Sequence, residues 1–195
     1  MTHSVFGELF GESGPERLLW VDVETTGLSY MNDKILEIAL MVTDGQLNSR
    51  EDLVFERVIH REVNLSAMAP EAAKMHIRND LLADVLEAED VREVVRQARI
   101  FLDNALEPSS SNLLAGSSVH FDRRMLEEDV DLYQILGYVG HRNFDVSTLS
   151  AAASLWRGMT FTKSERHRAL SDLRESLLFA RRIKDEIAMN APVYR

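Results

Sequence analysis

The order of its apolar patterns predicts that this chain has an α/β fold, a mixed sheet flanked by helices. Three strand-like runs come first, at residues 18–24, 35–43 and about 53–60, and turn-forming residues separate them. Helical spacing then alternates with two further short strands, at 113–116 and 144–146. This order is typical of a mixed sheet with helices packed against it. We therefore expect five strands, with helices on both faces of the sheet.

Apolar spacing and end signals define the helices. Five are expected, over residues 70–75, 91–106, 121 onward, 148–156 and 168–188. Pro70 suits the first position of a helix because its fixed φ is helical and its missing N–H has no helical partner there. Ser147 is expected to act as the N-cap of the fourth helix, and Trp156 at the end of that helix is expected to be packed.

Length and composition indicate one globular domain. The chain has 195 residues, of which 45% are hydrophobic and 28% charged, and this is enough to bury a substantial core. Residues 1–16 are expected to form a loose leader, and residues 17–190 the domain. The chain contains no cysteine, which excludes disulfides, thiolate metal sites and a cysteine nucleophile. We expect no membrane association and a cytoplasmic location, since no signal-like or membrane-spanning run is present.

The formal net charge of −10 bears on the class of substrate. Proteins that hold long nucleic acids by neutralising phosphates usually carry a basic face. An acidic protein can still bind phosphate through divalent metal ions, which reverse the local charge. The charge therefore favours a short or single-stranded phosphodiester substrate over a long polymer.

Asp22 and Glu24 follow a strongly apolar run and are two positions apart. Residues with this spacing point to the same face of a strand, so two carboxylates are held side by side. Such a pair is unfavourable unless a cation neutralises it, and oxygen ligands suit Mg²⁺ or Mn²⁺. An isolated pair of this kind is more often merely exposed to solvent, so it does not define a site alone.

Three further residues complete a possible catalytic set. Individually, Asp122 reads as a helix cap, Asp172 as part of a solvated helix face and His167 as a loop residue. Together, four carboxylates can hold two divalent ions about 4 Å apart, which is an arrangement that catalyses phosphodiester hydrolysis. Histidine can then accept a proton from the attacking water.

This order of acidic residues and histidine resembles the DEDDh 3′→5′ exonucleases, a family with a ribonuclease-H-like sheet. Longer strings are similar to those of the oligoribonucleases within that family, at residues 22–28, 35–39, 122–124, 145–149 and 172–176. The similarity extends from about residue 18 to residue 180, which is most of the chain.

The resemblance implies a role for each matching position. It implies that two Mg²⁺ or Mn²⁺ ions are held by Asp22, Glu24, Asp122 and Asp172, and that His167 is the general base. It further implies that the substrate contacts Thr25, Gly27, Leu28, Ser118, His141 and Ser147. It also implies a homodimer, in which residues near 145–148 help complete the substrate pocket of the neighbouring subunit.

Three departures from the oligoribonuclease pattern concern the grip on the substrate. His141 stands where the family usually has Tyr, Phe121 replaces a polar residue, and residues 71–74 lack the expected Trp. Stacking of a base on an aromatic ring contributes roughly 1–3 kcal/mol. The departures therefore leave the preferred substrate length open.

The sequence predicts a divalent-metal-dependent 3′→5′ exoribonuclease that hydrolyses short oligoribonucleotides to 5′-mononucleotides by a two-metal mechanism. One alternative is a DEDDh exonuclease of broader specificity, acting on single-stranded DNA or RNA. An alternative from another class is a non-catalytic nucleotide-binding protein that has kept the fold.

Overall fold

The computed structural model describes residues 17–162 and 167–189, and its central feature is a six-stranded mixed sheet. The strands are β1 (Leu18–Thr25), β2 (Ile35–Thr43), β3 (Ser49–His60), β4 (Glu89–Asp90), β5 (Leu113–Gly116) and β6 (Asn143–Asp145). Their order across the sheet is β4-β3-β2-β1-β5-β6. The first three strands pair antiparallel, whereas β3–β4, β1–β5 and β5–β6 pair parallel. The leader expected at residues 1–16 lies outside the described residues.

The expectation of a mixed α/β sheet is confirmed, but the expected number of five strands is wrong. The extra strand, β4, contains only two residues, Glu89 and Asp90, and pairs with the end of β3. Two residues are too few to show the alternating pattern by which a strand is recognised in a sequence.

The helices are α1 (Pro70–Arg78), α2 (Leu81–Glu87), α3 (Val91–Ala105), α4 (His120–Glu128), α5 (Val146–Arg157) and α6 (Ala169–Met189), with a 3₁₀ helix at Leu132–Tyr138. Neither α2 nor the 3₁₀ helix was expected, because seven residues are too short to show an apolar stripe. No helix among the described residues is long and apolar enough to cross a membrane.

Two expectations about α5 are wrong. Its N-cap is Asp145, whose carboxylate accepts hydrogen bonds from the backbone N–H groups of Ser147 (2.9 Å) and Thr148 (3.3 Å). Ser147 therefore lies within the first turn of the helix. Trp156 is not packed but 80% exposed, because it lies in the last turn of α5, where residues 154–157 are all exposed.

Strand β1 lies between two cores, one on each face of the sheet. Leu19, Val21 and Val23 pack on the face covered by α3 and α4. Leu18 and Trp20 pack on the opposite face, which α6 covers. Side chains alternate along a strand, so Asp22 and Glu24 belong to the same face as Trp20, the one covered by α6.

The carboxyl ends of three parallel strands meet at one edge of the sheet. Trp20 on β1 pairs with Ala115 on β5, and Gly116 on β5 pairs with Asp145 on β6. A Cβ atom at position 116 would lie 2.6 Å from the carbonyl oxygen of Val21, so only glycine permits this close approach. The edge therefore collects the polar residues that follow each of these strands.

Candidate metal centre

Three carboxylates meet where α6 crosses the end of β1. Asp22 and Glu24 come from the strand, and Asp172 comes from the first turn of the helix. One oxygen of each lies within 4.8 Å of the others. Asp22 and Asp172 are partly exposed, while Glu24 is buried. This group of oxygens could hold a divalent cation.

Asp122 adjoins this group from the opposite side of β1. It lies in the first turn of α4, is 5% exposed, and its Oδ1 accepts a hydrogen bond of 3.0 Å from the backbone N–H of Val23. Val23 is the residue between Asp22 and Glu24. Asp122 is therefore fixed against the strand that bears the other two acids, although it lies outside the 4.8 Å group.

The Glu24 carboxyl is hard to ionise because it is buried and lies among other acidic groups. Burial, together with the negative charges of Asp172, Glu37 and Asp122, raises its pKa to about 8, although the positive charge of Arg168 opposes the rise. A cation bound between the carboxylates would remove this repulsion and favour their ionised forms. The donor set thus fits a divalent metal ion.

His167 lies just before α6, beside Asp172. Its Nδ1 lies 4.0 Å from Asp172 Oδ2, and its side chain is 45% exposed. Its φ of 46° places it in the left-handed region, which costs a non-glycine residue roughly 1 kcal/mol. The side-chain amide of Asn79 donates a hydrogen bond to the carbonyl of His167. The imidazole can thus reach solvent next to the carboxylates.

Three of the predicted substrate contacts lie at the end of β1 and in the loop that follows it. Thr25 donates from Oγ1 to the carbonyl of Gly27 at 2.7 Å. The loop closes around Asp33, and a Cβ at position 27 would lie 2.5 Å from its Oδ2. Leu28 follows and is 80% exposed, so the loop presents an apolar side chain to solvent, four residues after Glu24.

His76, to which the sequence analysis gave no catalytic role, binds the backbone at the start of this loop. It is fully buried, with Nε2 2.9 Å from the carbonyl oxygen of Thr25 and 3.9 Å from Glu24 Oε2. Burial lowers its pKa, and Nε2 must carry hydrogen to bond a carbonyl. His76 is therefore a neutral group that fixes the end of β1.

Ser118 and Ser147, both predicted to contact phosphate, are neighbours at the same edge of the sheet. The backbone N–H of Ser118 lies 3.2 Å from both Asp145 Oδ1 and Ser147 Oγ, and the two hydroxyl oxygens are 3.2 Å apart. They come together because β5 and β6 are paired and end at the same level. The Ser147 hydroxyl also donates to Asp145 Oδ1 at 2.6 Å, so the two serines form one hydrogen-bonded group at the carboxyl ends of β5 and β6.

His141 lies elsewhere. It is exposed and precedes β6, whereas Asp145 ends that strand, so His141 stands at the opposite edge of the sheet from the carboxylates. The structure does not bring it to the acidic group of its own chain. Phe121 packs against Tyr30, with ring centroids 5.6 Å apart, and is partly buried. Phe121 thus joins α4 to the loop after β1.

A cavity of about 730 Å³ opens beside His167. Its lining includes Lys74 and Arg78 from α1, and His167 and Arg168 from the start of α6. This volume lies in the range of small-molecule sites.

The sequence analysis did not assign a role to Arg168 or to Glu37, whose carboxylate Arg168 binds. The signal that could have found them was Glu37, a charged residue inside the apolar run of β2.

Comparison with known proteins relates the whole described domain to exonucleases. The sequence model of the RNase T family, described as exonuclease, matches residues 19–179. An oligoribonuclease from Azoarcus sp. (strain BH72) is 34% identical over 176 residues, which are 88% of this chain and 94% of that protein. One from Pseudomonas aeruginosa is 33% identical over 175 residues, covering 88% of this chain and 96% of that protein.

Solved structures of exonuclease I share the fold. Exonuclease I of Methylocaldum szegediense matches 91% of this chain with a TM-score of 0.62 at 18% identity. E. coli exonuclease I in complex with a dT13 oligonucleotide matches 89% with a TM-score of 0.62 at 15% identity. This chain spans only 41% and 42% of those two chains, and at such identities the likeness concerns the fold alone. The expected ribonuclease-H-like fold is thereby confirmed.

Proposed function

Since the chain belongs to the RNase T exonuclease family and is a 3′→5′ exonuclease related to the oligoribonucleases, we propose that it hydrolyses short oligoribonucleotides to 5′-mononucleotides with two divalent metal ions. The observation that carries the proposal is the meeting of Asp22, Glu24 and Asp172 within 4.8 Å at the end of β1. The near-complete coverage of the oligoribonucleases supports the choice of substrate class.

The donor set supports Mg²⁺ or Mn²⁺, since it consists entirely of carboxylate oxygens. The ions would be held by Asp22, Glu24 and Asp172, together with Asp122, which is bonded to the same strand at Val23. Two bound divalent ions supply positive charge next to both the attacking and the leaving oxygen of the displacement.

The chain's own residues would orient the substrate and move a proton. His167, exposed beside Asp172, would accept a proton from the water that attacks the last phosphodiester. Leu28, on the loop that Thr25 and Gly27 shape, would lie against the terminal base. Ser118 and Ser147 would contact phosphate, and to donate to it their hydroxyls would exchange the present bonds, from Ser118 to Ser147 and from Ser147 to Asp145, for bonds to phosphate oxygens.

A homodimer is part of the proposal. His141 cannot serve its own site from the opposite edge of the sheet, but it could serve that of a second copy. Large apolar side chains on α5, Leu155 and Trp156, are 81% and 80% exposed and would be covered by a partner subunit. Both observations agree with the dimer that the resemblance implies.

One observation favours the alternative of a broader single-strand exonuclease. Lys74 and Arg78 border the cavity beside His167, on the helix whose residues 71–74 lack the Trp of the oligoribonuclease pattern. Basic side chains there could hold the phosphates of a longer DNA or RNA strand.

The test is release of mononucleotides, with Mn²⁺, from 5′-labelled RNA and DNA of two, five and twenty nucleotides. The wild type is compared with Asp172→Asn and with a control, Asp185→Asn, at an exposed position on the same helix. We expect hydrolysis of the RNA dinucleotide by wild type and control, and its loss in Asp172→Asn. Hydrolysis of only the longer strands would support the broader exonuclease, and no hydrolysis of any strand would support the non-catalytic alternative.

A further inference from the structure

An ion pair between a fully buried carboxylate and a partly exposed arginine anchors the start of α6 to the sheet. Glu37 on β2 is fully buried and pairs in register with Glu24 on β1. Its carboxylate accepts hydrogen bonds from Arg168 Nε (3.0 Å) and Nη2 (2.8 Å) and from the backbone N–H of Ala169 (3.0 Å). Both oxygens of a carboxylate beside the acidic group are thus used to bind the first residues of the helix.

Arg168 also joins two other helices. Its Nη1 lies 2.9 Å from Asp84 Oδ2 on α2 and donates at 3.4 Å to the carbonyl of Asn79, the residue that ends α1. The side chain of Asn79 in turn donates to the carbonyl of His167. The segment 167–169 is therefore fixed by β2, by α2 and by the end of α1.

This anchoring sets the geometry of the acidic group. The first helical hydrogen bond of α6 runs from the N–H of Asp172 to the carbonyl of Arg168, at 3.0 Å. Asp172 thus lies one helical turn after Arg168, and His167 is the residue directly before Arg168. A shift of Arg168 would move both residues relative to Asp22 and Glu24, which are fixed separately by β1.

We propose that Glu37 and Arg168 are positioning residues for the exonuclease reaction, and that their ion pair holds His167 and Asp172 over the carboxylates of β1. The inference rests on the roles proposed for His167 and Asp172. Groups that orient ligands and catalytic side chains typically affect metal affinity or activity by about 10- to 100-fold. Neither Glu37 nor Arg168 need touch the substrate for this effect.

The test compares Arg168→Gln, Arg168→Lys, Glu37→Gln and the double variant Glu37→Gln/Arg168→Gln. The matched control is Arg174→Gln, which removes another ion pair between α6 and the sheet, an exposed one with Glu51 on β3. Values of kcat and KM are measured on the strand that the wild type hydrolyses best. Mn²⁺ affinity is measured by electron paramagnetic resonance, and thermal midpoints by circular dichroism.

In Arg168→Gln we expect kcat to fall roughly 10- to 100-fold, with KM changed less than about threefold. Arg168→Lys should recover part of kcat because it keeps the charge but not the paired geometry. The double variant should recover the thermal midpoint, because no buried charge is left unpaired, but not kcat. The Arg174→Gln control should resemble the wild type in kcat.

Two results would overturn the inference. One is a kcat of Arg168→Gln that lies within threefold of the wild-type value, when both are measured at a temperature well below the thermal midpoint of the variant. The other is recovery of kcat together with the thermal midpoint in the double variant, which indicates a structural role alone. If the wild type hydrolyses no strand, the proposed function is wrong, but the positioning role can still be tested by Mn²⁺ affinity. An Mn²⁺ affinity of Arg168→Gln equal to that of the wild type would then overturn the inference.

Discussion

Replacing Glu24 by glutamine is expected to stabilise the metal-free protein at pH 8 while abolishing hydrolysis. Burial and the charges of Asp172, Glu37 and Asp122 raise the pKa of Glu24 to about 8, against an ordinary value of 4.5. The folded state therefore binds a proton that the unfolded state releases between these two pH values. The neutral amide of glutamine avoids the repulsion that the ionised carboxylate experiences.

The direction and size follow from these two pKa values. A carboxyl whose pKa is raised on folding contributes its stability fully below pH 4.5 and loses it as the pH rises through 8. At about 1.4 kcal/mol per pH unit, the ionisable Glu24 should destabilise the metal-free wild type by roughly 1 kcal/mol at pH 5 and roughly 4 kcal/mol at pH 8. The Glu24→Gln variant lacks this loss.

Urea unfolding in the presence of EDTA measures the difference in free energy of unfolding at both pH values. Glu62→Gln, at an exposed position, is the control and should match the wild type. A Glu24→Gln variant that is less stable than the wild type at pH 8, or whose difference from it is equal at pH 5 and pH 8, would refute the reasoning. Mononucleotide release with Mn²⁺ checks the loss of activity.

Three further outcomes are expected. Mn²⁺ should raise the thermal midpoint more at pH 8 than at pH 5, and its binding at pH 7 should release protons, because its carboxylate ligands must ionise. The proton release is checked by calorimetry in two buffers that differ in their heats of protonation, and equal binding heats in the two buffers, after correction for dilution, would contradict it. Lys74→Ala and Arg78→Ala should raise KM for a five-nucleotide RNA more than for a dinucleotide. The slope of log affinity against log salt concentration should become shallower by about 0.7 per lost phosphate contact, and an unchanged slope would exclude such contacts. Trp20→Phe should lower the free energy of unfolding by about 1–3 kcal/mol, because it removes the buried 3.0 Å hydrogen bond to Thr43, and should leave kcat unchanged, which urea unfolding and kinetics test together.

The sequence was most informative where a short local rule applies. The alternation along β1 was enough to predict that Asp22 and Glu24 share a face, and the turn after that strand was visible in its residues. Burial of both faces explains why β1 and β2 appear as continuous apolar runs.

Contacts between residues far apart in the chain could not be predicted from the sequence. The bond between Glu37 and Arg168 joins residues 131 positions apart, and nothing in either neighbourhood specifies the partner. The position of His141 depends on the direction of β6 within the sheet, which the chain order alone does not give. The N-cap of α5 was misassigned because Asp145 and Ser147 are both good capping residues, and only the start of the helix decides between them.

The bond between Asp122 and Val23 also has a consequence for the stability of the fold. Strand β5 pairs with β1 only as far as Trp20, so the N–H of Val23 has no strand partner on that side. Val23 is buried, and a buried backbone N–H without a hydrogen-bond partner is costly. The Asp122 carboxylate supplies the missing acceptor. An acidic residue predicted to bind metal thus also completes the hydrogen bonding of the sheet, so its replacement by alanine should lower the free energy of unfolding as well as the activity.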